Sequence, residues 1–80
     1  MIDVTDYFKK HYGENVVKAE RKGSDVLVLF DAGDKYELEY RWLVSEQADL
    51  CRVLASELTC WDKSEVDPSV PLFEQFRLFP

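Results

Sequence analysis

Val26-Leu27-Val28-Leu29-Phe30-Asp31-Ala32-Gly33-Asp34-Lys35-Tyr36-Glu37-Leu38-Glu39-Tyr40-Arg41-Trp42 reads as two strands joined by a glycine turn. The second half alternates. Tyr36, Leu38, Tyr40 and Trp42 fall on one side of an extended chain, and Glu37, Glu39 and Arg41 on the other, because successive side chains of a strand point to opposite faces. The first half is apolar at every position from Val26 to Phe30. Val26, Val28 and Phe30 are expected to join the aromatic face. Leu27 and Leu29 then lie on the side that carries Glu37 and Glu39, where two leucines need a cover or a partner. Two readings stand side by side: the Phe-rich tail folds over them, or they form an apolar strip framed by carboxylates.

Working outward, Lys22-Gly23-Ser24-Asp25 is a tight turn, and Val16–Lys22 before it is a third strand. Short links make consecutive strands antiparallel neighbours, with strand 26–31 central. In the first residues, Val4, Tyr7, Phe8, His11 and Tyr12 repeat at helical spacing. Asp3 is the expected N-cap, Ile2 a hydrophobic staple on Tyr7, and Gly13 the stop. Ser45 reads as the cap of a second helix, with Glu46 and Asp49 in its first turn and Cys51, Leu54, Ala55 and Leu58 on its apolar face. Beyond Asp62, Pro68 and Pro71 break a polar loop before the apolar Leu72-Phe73-Glu74-Gln75-Phe76-Arg77-Leu78-Phe79.

The expected fold is therefore α+β, one small domain over residues 1–80 in α-β-β-β-α order. A three-stranded antiparallel meander (16–22, 26–31, 35–42) packs with two helices (3–12 and 45–60). The apolar C-terminal tail, 62–80, folds back on the sheet. A chain of 80 residues buries only about 60–65% of its unfolded surface, and its eleven aromatic rings help to fill so small a core.

The two cysteines, Cys51 and Cys60, stand nine residues apart. On one helix that spacing is roughly 13–14 Å along the axis, beyond the ~7 Å between Cα atoms that a disulfide spans. They are expected to be free, buried thiols. With a start, Met1-Ile2-Asp3-Val4, that lacks the charged and apolar regions of a signal peptide, they suggest a reducing cytoplasm. No apolar run reaches membrane-spanning length.

No constellation for catalysis, metal or cofactor emerges. His11 is the single histidine, too few for a histidine-based metal site, and it reads as a packing residue beside Tyr7 and Tyr12. Glu37 with Glu39, and Asp62 with Glu65 and Asp67, are carboxylates in like, solvated environments, whereas acid–base catalysis needs unlike ones. The acidic 62–67 stretch lacks the ligand order of a calcium loop. The three glycines are isolated, so there is no phosphate loop.

Charge says more. Residues 23–67 hold eleven acids against four bases, while residues 1–22 hold four against five. The net charge of −6 repels phosphate, so direct nucleic-acid binding is disfavoured despite the bases Lys9, Lys10, Lys18, Arg21 and Lys22. A partner with a basic surface is favoured. The expectation is a non-enzymatic protein-binding module, in concrete form a small acidic inhibitor whose carboxylates stand in for the phosphates held by a nucleic-acid-binding partner. Phage or mobile-element counter-defence proteins and antitoxin-like proteins are the class analogues. The expected contact residues are Asp31, Asp34, Glu37 and Glu39, a second acidic edge of Asp62, Glu65 and Asp67, and the anchors Leu27, Leu29 and Phe76. The rival expectation is a structural or regulatory subunit, or a homodimer, that docks through the apolar tail.

Overall fold

The computed structural model describes residues 1–45, 50 and 54–76. It is a small α+β structure around one antiparallel sheet. Strand β1 is Ile2–Asp3 and helix α1 is Thr5–Tyr12. Strands β2 (Val16–Lys22), β3 (Asp25–Asp31), β4 (Lys35–Trp42) and β5 (Leu54–Asp62) follow. A 3-10 turn, Lys63–Glu65, leads to a four-residue helix α2, Leu72–Gln75. The strand order is β1-β2-β3-β4-β5, a five-stranded meander with β3 at its centre.

Three of the expected strands lie where the alternation and turns place them. Gly33 adopts φ +93°, a region that a side chain enters only under strain. Its N–H is taken by the Asp31 carboxylate at 2.9 Å. The first helix starts two residues later than expected. Ile2 and Asp3 pair with Arg21 and Glu20 as β1, so Ile2 stays exposed and makes no staple. Asp3 still accepts the Thr5 N–H at 2.9 Å, while the Thr5 hydroxyl takes the Ala19 N–H at 2.9 Å.

The larger correction concerns the second helix. Residues 54–62 are a strand, paired with β4 from Trp42 to Lys35. Glu46, Asp49 and Cys51, expected on the same helix, lie outside the described residues. The stretch Leu58-Thr59-Cys60-Trp61 is weak in helix formers and suits a pleated surface. Helix-like spacing of Leu54 and Leu58 competes with a demand that is not local: as a strand, β5 brings Trp61 against Phe76, ring centroids 5.0 Å apart, at the edge of the tail-face core. Cys60, expected in a helical core, is exposed on this strand.

Register reverses the expected faces. Leu27 pairs with Tyr40 and Leu29 with Leu38, whereas Val28 pairs with Glu39 and Phe30 with Glu37. Directly opposed residues share a face, so a slip of one residue moves every side chain across the sheet. Val26 and Val28 therefore pack under α1 with Phe8, Val16 and Ala19. Leu27, Leu29 and Leu38 pack on the other face with Val66, Leu72 and Phe76, edged by Tyr36, Tyr40 and Trp61. The described part of the tail does fold back over both leucines. Residues 77–80 lie outside the described residues.

Two side chains of β2 hold that cover in place. A bulge between Val16 and Lys18 sets Val16 against Phe30 and Lys18 against Leu29, which turns Lys18 away from the α1 face. Lys18 and Glu20 then both stand on the tail face. The Glu20 carboxylate, 1% exposed, accepts the backbone N–H groups of Leu72 at 2.7 Å and Phe73 at 3.3 Å. Lys18 Nζ donates to the carbonyls of Pro68 at 2.9 Å and Val70 at 3.3 Å. It also faces the second Glu20 oxygen at 3.2 Å, in ion-pair contact but out of line for a hydrogen bond. Lys18 is thus no part of a surface basic cluster. No described helix is long and apolar enough to cross a membrane.

Candidate protein-docking face

The expected contact residues separate into three places. Leu27 and Leu29 are fully buried and Phe76 is 8% exposed. These three are core, because the tail consumes the apolar strip that would have made them anchors. On the tail face, Asp31 is exposed and paired with Lys63 at 2.9 Å. The same ammonium lies 5.4 Å from the centre of the Tyr36 ring. Asp67 turns inward on its own loop and accepts the N–H of Ser69 at 2.9 Å and its hydroxyl at 2.6 Å. Asp34 is exposed in the β3–β4 turn, and Glu65 is exposed on the 3-10 turn.

The α1 face brings the others together. On β4 it carries Lys35, Glu37, Glu39 and Arg41. Opposite them on β5 stand Asp62 against Lys35, Cys60 against Glu37, and Leu58 against Glu39. Leu58 is 53% exposed. The two acids beside it differ in freedom. Glu39 is ion-paired with Arg41, whose guanidinium donates to the Tyr12 hydroxyl at 2.6 Å and lies 4.5 Å from that ring's centre. This polar bridge ties the end of α1 to β4 and leaves β5 beyond it. An apolar side chain framed by carboxylates therefore exists on the sheet, but it is Leu58 rather than Leu27 or Leu29. Alternation over residues 54–62 does not reveal it, because in sequence Leu58 shares its side with Leu54 and Cys60 and a bulge interrupts the period between Ala55 and Glu57. The helical reading placed Leu58 in the core.

The electrostatics of the surrounding loops follow from local hydrogen bonds. The Lys63 ammonium, and then the Gly33 N–H, hold the Asp31 carboxyl below its ordinary value. The Ser69 hydroxyl, and then its N–H, do the same for Asp67. Both groups favour the folded state above the ordinary carboxylate value, and that contribution disappears as pH falls through the lowered one. Tyr40 shifts the other way. Burial, and then its 2.7 Å hydrogen bond to Asp25, push its phenol up to about 12. A raised phenol keeps its proton in the folded state where the unfolded chain has lost it. Its contribution is complete below the ordinary value of 10 and falls away as pH rises towards about 12. Absorbance titration of tyrosinate should show a late tyrosine, and Tyr40→Phe should remove it along with that part of the alkaline destabilisation. A late step that survives Tyr40→Phe unchanged would contradict this.

No protein-family model, curated protein or solved structure matches the chain.

Proposed function

We propose that this protein is a non-enzymatic binding module that docks on a basic protein surface. The observation that carries the reading is the exposed Leu58 of β5, opposed by Glu39 and flanked across Cys60 by Glu37. An apolar anchor supplies binding energy when it is buried by a partner, and surrounding charge governs encounter rate and partner choice. The net charge of −6 adds a long-range bias towards cationic partners. Asp62, with Asp34 and Glu65 on the adjoining turns, extends the acidic surroundings. A small inhibitor that occupies a nucleic-acid-binding groove, as in phage counter-defence or toxin neutralisation, is the concrete form this chemistry suits. Docking through the apolar tail has less to draw on, because Leu72 and Phe76 are committed to the chain's own core.

Affinity capture from the native host, with the partner identified by mass spectrometry, supplies the test. The dissociation constant should rise at least about tenfold as salt increases from roughly 50 to 200 mM. The paired reversals Glu37→Lys and Asp62→Lys should weaken binding further, and the partner's nucleic acid should compete. Affinity that is unchanged by salt and by both reversals would sink the proposal.

A further inference from the structure

β5 is an edge strand. Its inner side pairs with β4, and among the described residues nothing pairs with its outer side. From Glu57 to Asp62 the pairing with β4 is regular, opposite Tyr40 to Lys35. In an antiparallel ladder every second residue then turns its N–H and C=O outward. Such a row is a template for another strand unless a protein guards it with charge, proline, a bulge, shortness or cover. The opposite edge is guarded, since β1 has two residues. The Glu57–Asp62 edge has six, with no proline among them; a bulge precedes Glu57, and the charges are the two end carboxylates, which oppose an acidic strand and admit a basic one.

We infer that the outer edge of β5, Glu57–Asp62, receives an extended segment of a partner protein as an added strand, basic at both ends and apolar between. The inference rests on the acidic-docking reading above and names how the partner is held. The two ends of the edge are carboxylates, Glu57 and Asp62, and the four residues between them are Leu58, Thr59, Cys60 and Trp61. Cross-strand neighbours of opposite charge stabilise a ladder and like charges oppose it. A lysine or arginine is therefore favoured opposite each end, and apolar or β-branched residues beside Leu58 and Thr59. Main-chain hydrogen bonds supply affinity in this mode, and alternate side chains supply selectivity.

A second copy of the chain is a poorer match. Opposed residues share a face, so two copies can pair only with a residue opposite its own counterpart. Centred on Cys60, this sets Leu58 against Asp62 and enlists Lys63, which is bound to Asp31. Centred on Thr59, it sets Glu57 against Trp61 and Asp62 against Ser56. Neither register gives both end carboxylates a basic neighbour.

The test uses the full chain and three peptide probes. The first is Lys-Thr-Val-Val-Thr-Lys, whose palindromic order serves either strand direction. The second is the same peptide N-methylated at every internal amide, so that neither of its edges can donate to a ladder. The third has glutamate at both ends. Affinity is read by fluorescence anisotropy and location by amide chemical shifts. The expected result is binding of the first peptide with shifts concentrated at Glu57–Asp62, and at least about tenfold weaker binding of each of the other two, the loss of one or more good interactions. Because the changes are made in the peptide, loss of the protein's fold cannot produce this pattern. Equal binding of the methylated peptide would overturn strand addition and leave the acidic-docking reading standing. Equal binding of the glutamate peptide would overturn the basic partner, and the acidic-docking reading with it. No binding, shifts confined elsewhere, or edge shifts that depend only on protein concentration would overturn the inference, the last in favour of a second copy.

Discussion

Glu20→Ala should cost about 3–5 kcal/mol, the usual penalty for removing one partner of a buried ion pair. Two hydrogen-bond donors, the N–H groups of Leu72 and Phe73, lose their acceptor, and Lys18 keeps a charge in a site that no longer compensates it. A chain of 80 residues has a total stability of about 4–12 kcal/mol, so this single change removes much of the margin. Each kcal/mol lowers the melting temperature of so small a domain by ~4–8 °C. Glu20→Gln should fall between, because the amide retains an acceptor for Leu72 but lacks the charge that faces Lys18. Thermal and urea unfolding of the three proteins measure the effect. Amide exchange at Leu72 and Phe73 gives a local readout, with protection lost in the alanine variant. A cost of Glu20→Ala below about 1 kcal/mol, the worth of an ordinary single hydrogen bond, would show that the tail does not depend on this clamp.

Leu27→Asp should abolish folding, whereas Leu58→Asp should leave the protein folded. Leu27 is fully buried between β2 and β4, opposite Glu20 and Tyr40 and beneath the tail. A carboxylate there is cut off from solvent and stands opposite the Glu20 carboxylate, whose partner Lys18 is already engaged, a penalty of several kcal/mol on top of the lost packing. Leu27→Ala, which removes packing alone, should cost about 2–5 kcal/mol. Leu58 is the counter-case. It is half-exposed on an edge strand, and its replacement, which sets a carboxylate opposite Glu39, should cost no more than about 1 kcal/mol while weakening partner capture. Circular dichroism and urea unfolding separate the two variants. A stable Leu27→Asp would mean that the tail does not seal this face. An unfolded Leu58→Asp would return Leu58 to the core, where its helical spacing first placed it.

Those two leucines show how far local pattern carries. Alternation in Tyr36–Trp42 and the turns at Gly23 and Gly33 define three strands and their antiparallel order by short-range geometry alone, and the structure places all three. The expected anchors failed for a reason that alternation cannot report. A strand that is apolar on both faces has no preferred register by pattern, and a slip of one residue exchanges Val26 and Val28 with Leu27 and Leu29. The same holds on β2. A bulge at Val17 turns Lys18 inward, so a residue that reads as surface charge becomes a clamp on the tail. Residues 54–62 read two ways because their leucines satisfy a helical period, and the pairing with β4 and the packing of Trp61 on Phe76 are contacts that no local pattern reports.

By itself, the sequence determined the class of structure, the central hairpins, the first helix and the excess of acid, because each depends on residues close in the chain. Tertiary structure alone decided which leucines are core and which is exposed. It also decided that Glu20 and Lys18 hold the tail and that β5, on whose outer side nothing pairs among the described residues, closes the meander. Those outcomes depend on contacts between residues up to 53 positions apart, where burial and hydrogen-bond satisfaction outweigh local propensity.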